Sequence, residues 1–289
     1  VAAACHRHTK QIKPQMDADT RRLSEDNRLR FGGLARLYGQ DALERFASAR
    51  VAVVGIGGVG TWAVECLARS GVGHLTLVDL DEICVTNVNR QIHALDGQIG
   101  MQKAEAMAAR VRSIHPACEV NAVTSFFNER TAEEILAAGF DAVVDAIDTL
   151  RHKALLVAEC HARKIPVVTC GAAGGRRDPT RIRAADLSVS GGDPLMHALR
   201  RKLRREHGFP TIPMGEKPPP LGIDAVFSDE PQVFPDGEGG VSCERSDGAV
   251  AGPKLGCDAG YGSAAHVTGC FGMIAAGVVL ERISRSGLA

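Results

Sequence analysis

Residues 50–79, RVAVVGIGGVGTWAVECLARSGVGHLTLVD, decide the fold. RVAVVG (50–55) is a short apolar run without polar alternation, the pattern of a strand buried on both faces of a parallel sheet. HLTLVD (74–79) is a second strand, and Gly58 to Ser70 between them reads as a helix. The link, Gly55-Ile56-Gly57-Gly58-Val59-Gly60, is a GxGxxG turn. Its first glycine permits the tight turn, the second lets the backbone approach a phosphate, and the last lets helix and strand pack closely. The helix that follows points unpaired N–H groups and a partial positive charge at an anion. Asp79 ends the second strand 19 residues after Gly60, where it can accept hydrogen bonds from a ribose. Strand, turn, helix, strand and acid in this order predict an adenine-nucleotide site. The glycine turn by itself would favour a dinucleotide and a dehydrogenase, or would serve structure alone.

Outward from this unit the alternation continues. Gly100 to Ile114 is helical, with Ala104, Met107, Ala108 and Val111 on one face. EVNAVT (119–124), DAVVDA (141–146) and IPVVTC (165–170) are further strands; Thr131 to Ala138 and Leu150 to Arg163 are the helices between them. Thr131 with Glu134 predicts a capping box. The fold class is therefore α/β, a Rossmann-like, mostly parallel sheet with helices on both faces. After Gly171 the pattern changes: TRIRAADL (180–187) predicts an antiparallel strand, Pro194 to His207 a strongly basic helix, and GIDAVFS (222–228) an edge strand. Residues 208–221 and 235–253 are rich in Pro and Gly and predict long loops, a crossover region. The expected organisation is a disordered tail (1–27), a nucleotide-binding core (28–185) and an extension (186–289) belonging to the same compact unit.

Composition narrows the setting. The 289 residues carry 34 Lys+Arg against 34 Asp+Glu, so any basic surface must be local. Aromatic residues are 4%, which leaves Val, Ile, Leu and Ala to build the core. The nine cysteines are scattered and none forms C-x-x-C, which argues against a structural zinc site and for reduced thiols in the cytoplasm. Cys66, Cys160 and Cys170 sit in apolar periodic segments and read as core. The N-terminal stretch does not read as a signal peptide, and Met16 is a plausible start. Residues 264–280 are apolar over about 17 positions, the lower limit for a membrane span. A buried helix interrupted by Gly269, Gly272 and Gly277 is the favoured reading, with peripheral membrane association left open.

The segment after Asp79 turns the reading away from NAD. It runs VDLDEICVTNVNRQ (78–91). A dehydrogenase has no need for an Asn and an Arg just after the ribose acid, whereas a triphosphate does. Arg90 offers a fork of donors to phosphate, Asn87 and Gln91 offer amide hydrogens, and Lys103 opens a helix within reach. Asp148 follows the fourth strand, where the carboxyl end of a parallel strand meets ligand, and suits a magnesium ion beside phosphates. Taken singly, Arg90 and Lys103 read as solvated charges, Asp148 as a helix cap and Asp81 as a loop-capping residue.

With GIGGVG (55–60), VDLDEICVTNVNRQ (78–91), Lys103 and DAID (145–148), residues 30–185 resemble the ubiquitin-activating-type adenylating family, which includes the molybdopterin and thiamin sulfur-carrier activators. The resemblance implies ATP and Mg2+, adenylation of a carboxylate, Gly55, Gly57, Gly58 and Gly60 with Asp81 in the nucleotide bed, Asp79 on the ribose, and Asn87, Arg90, Gln91 and Lys103 around the phosphates, with Asp148 on magnesium. It leaves room for a monovalent cation, Na+ or K+. The family also lends an arginine from a partner subunit, which implies a homodimer. In RFGGLARLYG (30–39) the usual second arginine position is Gly33, so that role falls to Arg30 or Arg36.

One branch is closer. RFGGLARLYG, CVTNVNRQIHAL (84–95), the basic helix after DPL (193–195) and CDAGYGSA (257–264) are similar to the tRNA threonylcarbamoyladenosine dehydratases. That resemblance implies a tRNA substrate whose threonine carboxylate is adenylated and then closes to a ring. It also implies a possible sulfur-acceptor protein of a cysteine desulfurase system as partner. Arg200, Arg201, Lys202, Arg204 and Arg205 then become candidates for tRNA phosphates, against the plainer reading of a solvated amphipathic helix. Cys243 and Cys257 are candidates for thioester or persulfide chemistry, which dehydration does not need, and His93 and His115 read as structural. The alternative function is activation of a ubiquitin-like sulfur-carrier C-terminus, against which the missing C-x-x-C pairs count.

Overall fold

A computed structural model of the chain describes residues 25–211, 216, 218–236, 239–243 and 261–286. Met16 and Cys257 lie outside the described residues, as does most of the expected tail; residues 25–27 of that tail instead begin a helix. The elements in chain order are α1 (Glu25–Tyr38), α2 (Gln40–Ser48), β1 (Arg50–Val54), α3 (Gly60–Arg69), β2 (His74–Val78), α4 (Lys103–Ile114), β3 (Glu119–Val123) and α5 (Ala132–Leu136). They continue with β4 (Ala142–Asp145), α6 (Leu150–Ala162), β5 (Val167–Cys170), β6 (Ile182–Asp186), α7 (Pro194–Glu206), β7 (Asp224–Ser228), β8 (Phe234–Pro235), β9 (Val241–Ser242) and α8 (Ala265–Arg285).

One seven-stranded sheet runs β3-β2-β1-β4-β5-β7-β6, all parallel except β6, and β8 pairs with β9 in a two-stranded ribbon. The α/β class and mostly parallel sheet are as the sequence predicts. The unbroken apolar runs follow from burial on both faces: along β1, Val51 and Val53 pack with α3, α4 and α8, while Ala52 and Val54 pack with α6 and α7. Val54 is in register with Val78 on one side and Asp145 on the other, so β1, β2 and β4 end level. Strand order reverses between β1 and β4, and the crevice outside that point is where such sheets bind ligands.

Two local expectations are corrected. GIDAVFS does not form the edge: β7 lies between β5 and β6, and the edge is β6. The capping box at Thr131 is absent. Thr131 has helical dihedrals, and its hydroxyl donates to Phe126 O at 2.6 Å and accepts from Asn128 N at 3.1 Å. Its oxygen is spent on the preceding turn instead of on the helix.

Helix α8 explains the glycines in the apolar C-terminal stretch. A Cβ on Gly272 would stand 2.4 Å from Val59 O, and one on Gly269 would touch the Trp62 ring at 3.5 Å, so α8 lies directly on α3. By length and composition α8 is the one helix among the described residues able to cross a membrane. Here Val267, Phe271, Ala275, Val279 and Ile283 are buried in the main core, and Arg282 pairs with Asp224 at the start of β7.

Candidate active site

The turn between β1 and α3 is built as its glycines predict. Gly55 has φ +91°, and a Cβ there would meet Ala146 O at 2.8 Å. A Cβ on Gly60 would stand 1.8 Å from Gly55 O, so no other residue fits. The Ile56 peptide is held on both sides. Its N–H donates to Asp79 Oδ2 at 2.6 Å, and its carbonyl lies 3.2 Å from His93 Nε2, which must therefore carry the proton. Asp79 Oδ1 accepts a second backbone N–H, from Asp81, at 2.8 Å. Burial pushes the Asp79 carboxyl up, against the pull of Lys103 and these two N–H groups.

His93 is 1% exposed, and burial pushes its imidazole down to about 4. The folded value lies below the ordinary 6.5, so the unfolded chain takes up the proton first; the stabilisation is complete above pH 6.5 and is lost as pH falls toward 4. The shift corresponds to about 3 kcal/mol over that window. His93→Gln is expected to flatten the stability profile between pH 6.5 and 4 in urea unfolding; parallel profiles for variant and parent would remove His93 from the acid sensitivity.

Segment 81–91 wraps the turn. Lys103, buried at the start of α4, pairs with Asp81 Oδ2 at 2.8 Å. Asn87 Oδ1 accepts from Cys84 N at 3.0 Å and closes a single helical turn. The stem of Arg90 lies against Gly58, where a Cβ would approach its Cδ to 3.4 Å. The Arg90 guanidinium donates to Thr86 O at 2.8 Å and to Asn89 Oδ1 at 3.0 Å, and its carbonyl accepts from Trp62 Nε1 at 3.0 Å and Thr268 Oγ1 at 3.3 Å. Gln91 is buried beside Gly57, with Oε1 lacking a hydrogen-bond partner.

Across the crevice, DAID (145–148) leaves β4. Asp145 and Lys153 are both fully buried and pair at 2.8 Å. Thr169 donates to the same carboxylate oxygen at 2.6 Å, and Ile147 N–H donates to the other at 3.1 Å. Burial pushes the Asp145 carboxyl up, opposed chiefly by Lys153. Asp148 is exposed, and its contact is with Thr149 Oγ1 at 3.2 Å. It does not cap α6, whose N-cap is Thr149. A single free carboxylate at the crevice suits Mg2+, which takes one or two carboxylates and draws its other ligands from phosphate and water. Among the described residues there is no cluster of three His, Cys, Asp or Glu to form a dedicated metal cage.

Other candidates are not brought to this crevice. Arg30 and Arg36 lie on α1, which packs Phe31 against Gly71 and, edge-on at 4.8 Å, against His115. Those residues precede β2 and β3, so α1 stands at the amino edge of the sheet. Arg30 pairs with Asp26 at 2.6 Å, and Arg36 is exposed. The basic helix α7 starts at Asp193, whose carboxylate caps it through Leu195 N and Met196 N. It ends where Phe209 meets His161 at the close of α6, again the amino edge. Arg200 is corrected as a tRNA candidate: it is half-buried and donates to Leu187 O and to Ser190, holding a turn. Lys202 and Arg205 share Glu206, and Arg201 and Arg204 have no ion pair among the described residues. Cys243 is exposed; Cys66, Cys118, Cys160, Cys170 and Cys270 are also free thiols.

Sequence reasoning missed Trp62, Thr268, His93 and the Asp145–Lys153 pair as parts of the site. His93 lies inside a quoted segment, and its buried setting was the only signal to be had. Lys153 becomes visible only once α6 folds back over β4.

The tRNA threonylcarbamoyladenosine dehydratase of Escherichia coli K12 is 46% identical over 262 residues, which are 90% of this chain and 96% of that protein. Crystal structures of E. coli tRNA N6-threonylcarbamoyladenosine dehydratase superpose with a TM-score of 0.78 for the complex with ATP and 0.77 for the complex with AMP. Sequence identity is 43% and 45%, and coverage is 91% of this chain and 99% of the first, 90% of this chain and 96% of the second. The ThiF family model matches residues 32–286, nearly the whole described chain, and on that match the chain belongs to the ThiF family.

Proposed function

We propose that the protein is an ATP-dependent dehydratase that converts threonylcarbamoyladenosine in tRNA to its cyclic form by adenylating the threonine carboxylate. The observation that carries this is a glycine turn, Arg90, Gln91, Lys103 and an exposed Asp148 gathered at one carboxyl edge, in a chain collinear over nine-tenths of its length with such a dehydratase. The missing C-x-x-C pairs leave the sulfur-carrier reading without a feature of its own.

In this reading Gly55, Gly57, Gly58 and Gly60 form the phosphate bed. Asp79 receives the ribose on the lone pairs its two backbone donors leave free. Arg90, Lys103, Asn87 and Gln91 offset charge on the phosphates; Asp81 holds Lys103 in place until phosphate competes for it. Asp148 holds Mg2+, which when bound neutralises phosphate charge. The threonine carboxylate attacks the α-phosphorus and diphosphate leaves. The adjoining carbamoyl group then attacks the acyl carbon and gives up an N–H proton to solvent, AMP leaves with the carboxylate oxygen, and one water in all has been removed from the nucleoside. Ring closure is intramolecular, so proximity supplies much of its acceleration and no enzyme nucleophile is needed. Because α1 stands at the amino edge, Arg30 or Arg36 serves the site only from a second copy, which makes a homodimer the working unit. Free thiols suit the cytoplasm.

The test is mass spectrometry of nucleosides from threonylcarbamoyl-modified tRNA incubated with protein, ATP and Mg2+. The expected result is ATP-dependent loss of one water from the modified adenosine. No mass change with nucleotide bound would overturn the reading. Arg201→Glu with Arg204→Glu tests the basic helix: about tenfold weaker tRNA binding and a smaller salt slope are expected if it touches phosphates. Unchanged affinity would return α7 to a solvated face.

A further inference from the structure

The basic end of α7 stands at the amino edge, yet the reacting carboxylate must reach the α-phosphate at the carboxyl edge. That edge carries a different surface, made where three distant segments knot together. Gly175 N donates to Gly262 O at 2.7 Å, Val233 N to Gly175 O at 2.8 Å, and Gln232 Nε2 to Gly174 O at 2.8 Å. The Glu230 carboxylate accepts from Arg177 N and Asp178 N at 3.0 Å, and His266 Nε2 meets Arg177 O at 3.0 Å. Beneath them Arg176 is buried, pairs with Asp193 at 3.1 Å and donates to Ala172 O at 2.6 Å. The knot is tied to the phosphate side of the crevice through Asn89 Nδ2, which donates to Ser263 O at 2.8 Å, one residue before Arg90.

On this floor lies an aromatic pair. The rings of Tyr261 and Phe234 are 5.3 Å apart, and Tyr261 is 41% exposed in a chain with only two tyrosines and one tryptophan. The ring lies on bare backbone: a Cβ on Gly174 would stand 2.9 Å from Tyr261 Cβ, and one on Gly175 would stand 3.1 Å from its ring. Arg177, two positions after Gly175, is exposed, and its guanidinium has no hydrogen bond or ion pair among the described residues. Tyr261 and Ser263 are two positions apart along the chain, a reach of at most about 7 Å.

We propose that Tyr261, backed by Phe234 and flanked by Arg177, is the surface on which the unpaired RNA around the reacting adenosine docks, one base stacking on Tyr261 and one phosphate meeting Arg177. An exposed aromatic face accepts any base, and an arginine fork suits phosphate. The rigid floor means that little ordering is needed when the strand arrives. RNA single strands are recognised by this combination of stacking and backbone charge. The inference rests on the dehydratase reading above and assigns to its substrate a place that α7 does not provide.

Steady-state kinetics with threonylcarbamoyl-modified tRNA and ATP tests it. Tyr261→Ala is expected to raise KM for the tRNA about tenfold and leave KM for ATP unchanged, which also shows that the crevice is intact. Tyr261→Phe keeps the stacking face and is expected to stay within about twofold of the parent. Arg177→Ala is expected to reduce the slope of log affinity against log salt by about 0.7, the value for one single-strand phosphate. An unchanged tRNA KM in Tyr261→Ala, with the parent active, overturns this surface and leaves the dehydratase reading standing. A parent protein that binds ATP but neither binds nor converts the modified tRNA overturns both.

Discussion

Asp148→Ala is expected to lower adenylation about 10³-fold and leave folding untouched. The two halves of that expectation come from the same geometry. Asp148 is exposed, its contact is a neighbouring hydroxyl, and it does not cap α6, so its removal frees no buried partner. Surface substitutions of this kind change stability by no more than about 0.5 kcal/mol. Its position after β4, at the carboxyl end of the sheet, is what suits it to the Mg2+ role the proposed function gives it. ATP–diphosphate exchange in the presence of modified tRNA reads the first half and thermal unfolding the second. Asp148→Asn is expected to lose nearly as much activity, because the amide keeps the shape and loses the charge. Turnover like the parent's in magnesium buffer would remove Asp148 from the mechanism.

The largest effect on stability is expected at the buried Asp145–Lys153 pair. Lys153→Met leaves the Asp145 carboxylate fully buried without its cation, which costs about 3–5 kcal/mol. Asp145 also anchors Ile147 N–H, and with it the strand end from which Asp148 projects, so the variant is expected to lose activity before it unfolds. Adding Asp145→Leu removes the stranded charge and is expected to recover much of the loss, since a buried ion pair is worth little against a packed apolar substitute. Urea unfolding of the single and double variants measures both. A cost under 1 kcal/mol for Lys153→Met would mean that the pair is not the anchor of this strand end.

How far the sequence revealed these things depended on the range of the interaction that fixes each. The strands β1, β4 and β5 are short apolar runs buried on both faces, and composition alone marks them. The glycine turn was legible because Gly60 packs on Gly55 O and Gly55 turns with φ +91°, both within one strand–turn–helix unit; the press of Ala146 on Gly55 was not. The insertion of β7 between β5 and β6 was not, because it depends on a crossing whose length the intervening prolines conceal. Arg200 looked like its basic neighbours until the turn at Leu187–Ser190 folded under it. Thr131 carried the letters of a cap, but Asn128 and Phe126 offered its hydroxyl nearer partners. Trp62 and Thr268 were invisible as site residues because they act on a carbonyl, and a carbonyl has no letter in the sequence.

That shared carbonyl has a consequence in time. Arg90 is held from α3 and from α8, and 178 positions lie between Arg90 and Thr268. A chain emerging from the ribosome at about 5–20 residues per second would therefore expose the glycine turn, Asp79 and Arg90 for roughly 10–35 s before α8 arrived to seat the arginine. Gly272 on Val59 is the same closure seen from the helix side. The nucleotide crevice thus matures last, and a nascent or C-terminally clipped chain would carry every residue that faces ATP without the frame that aims them.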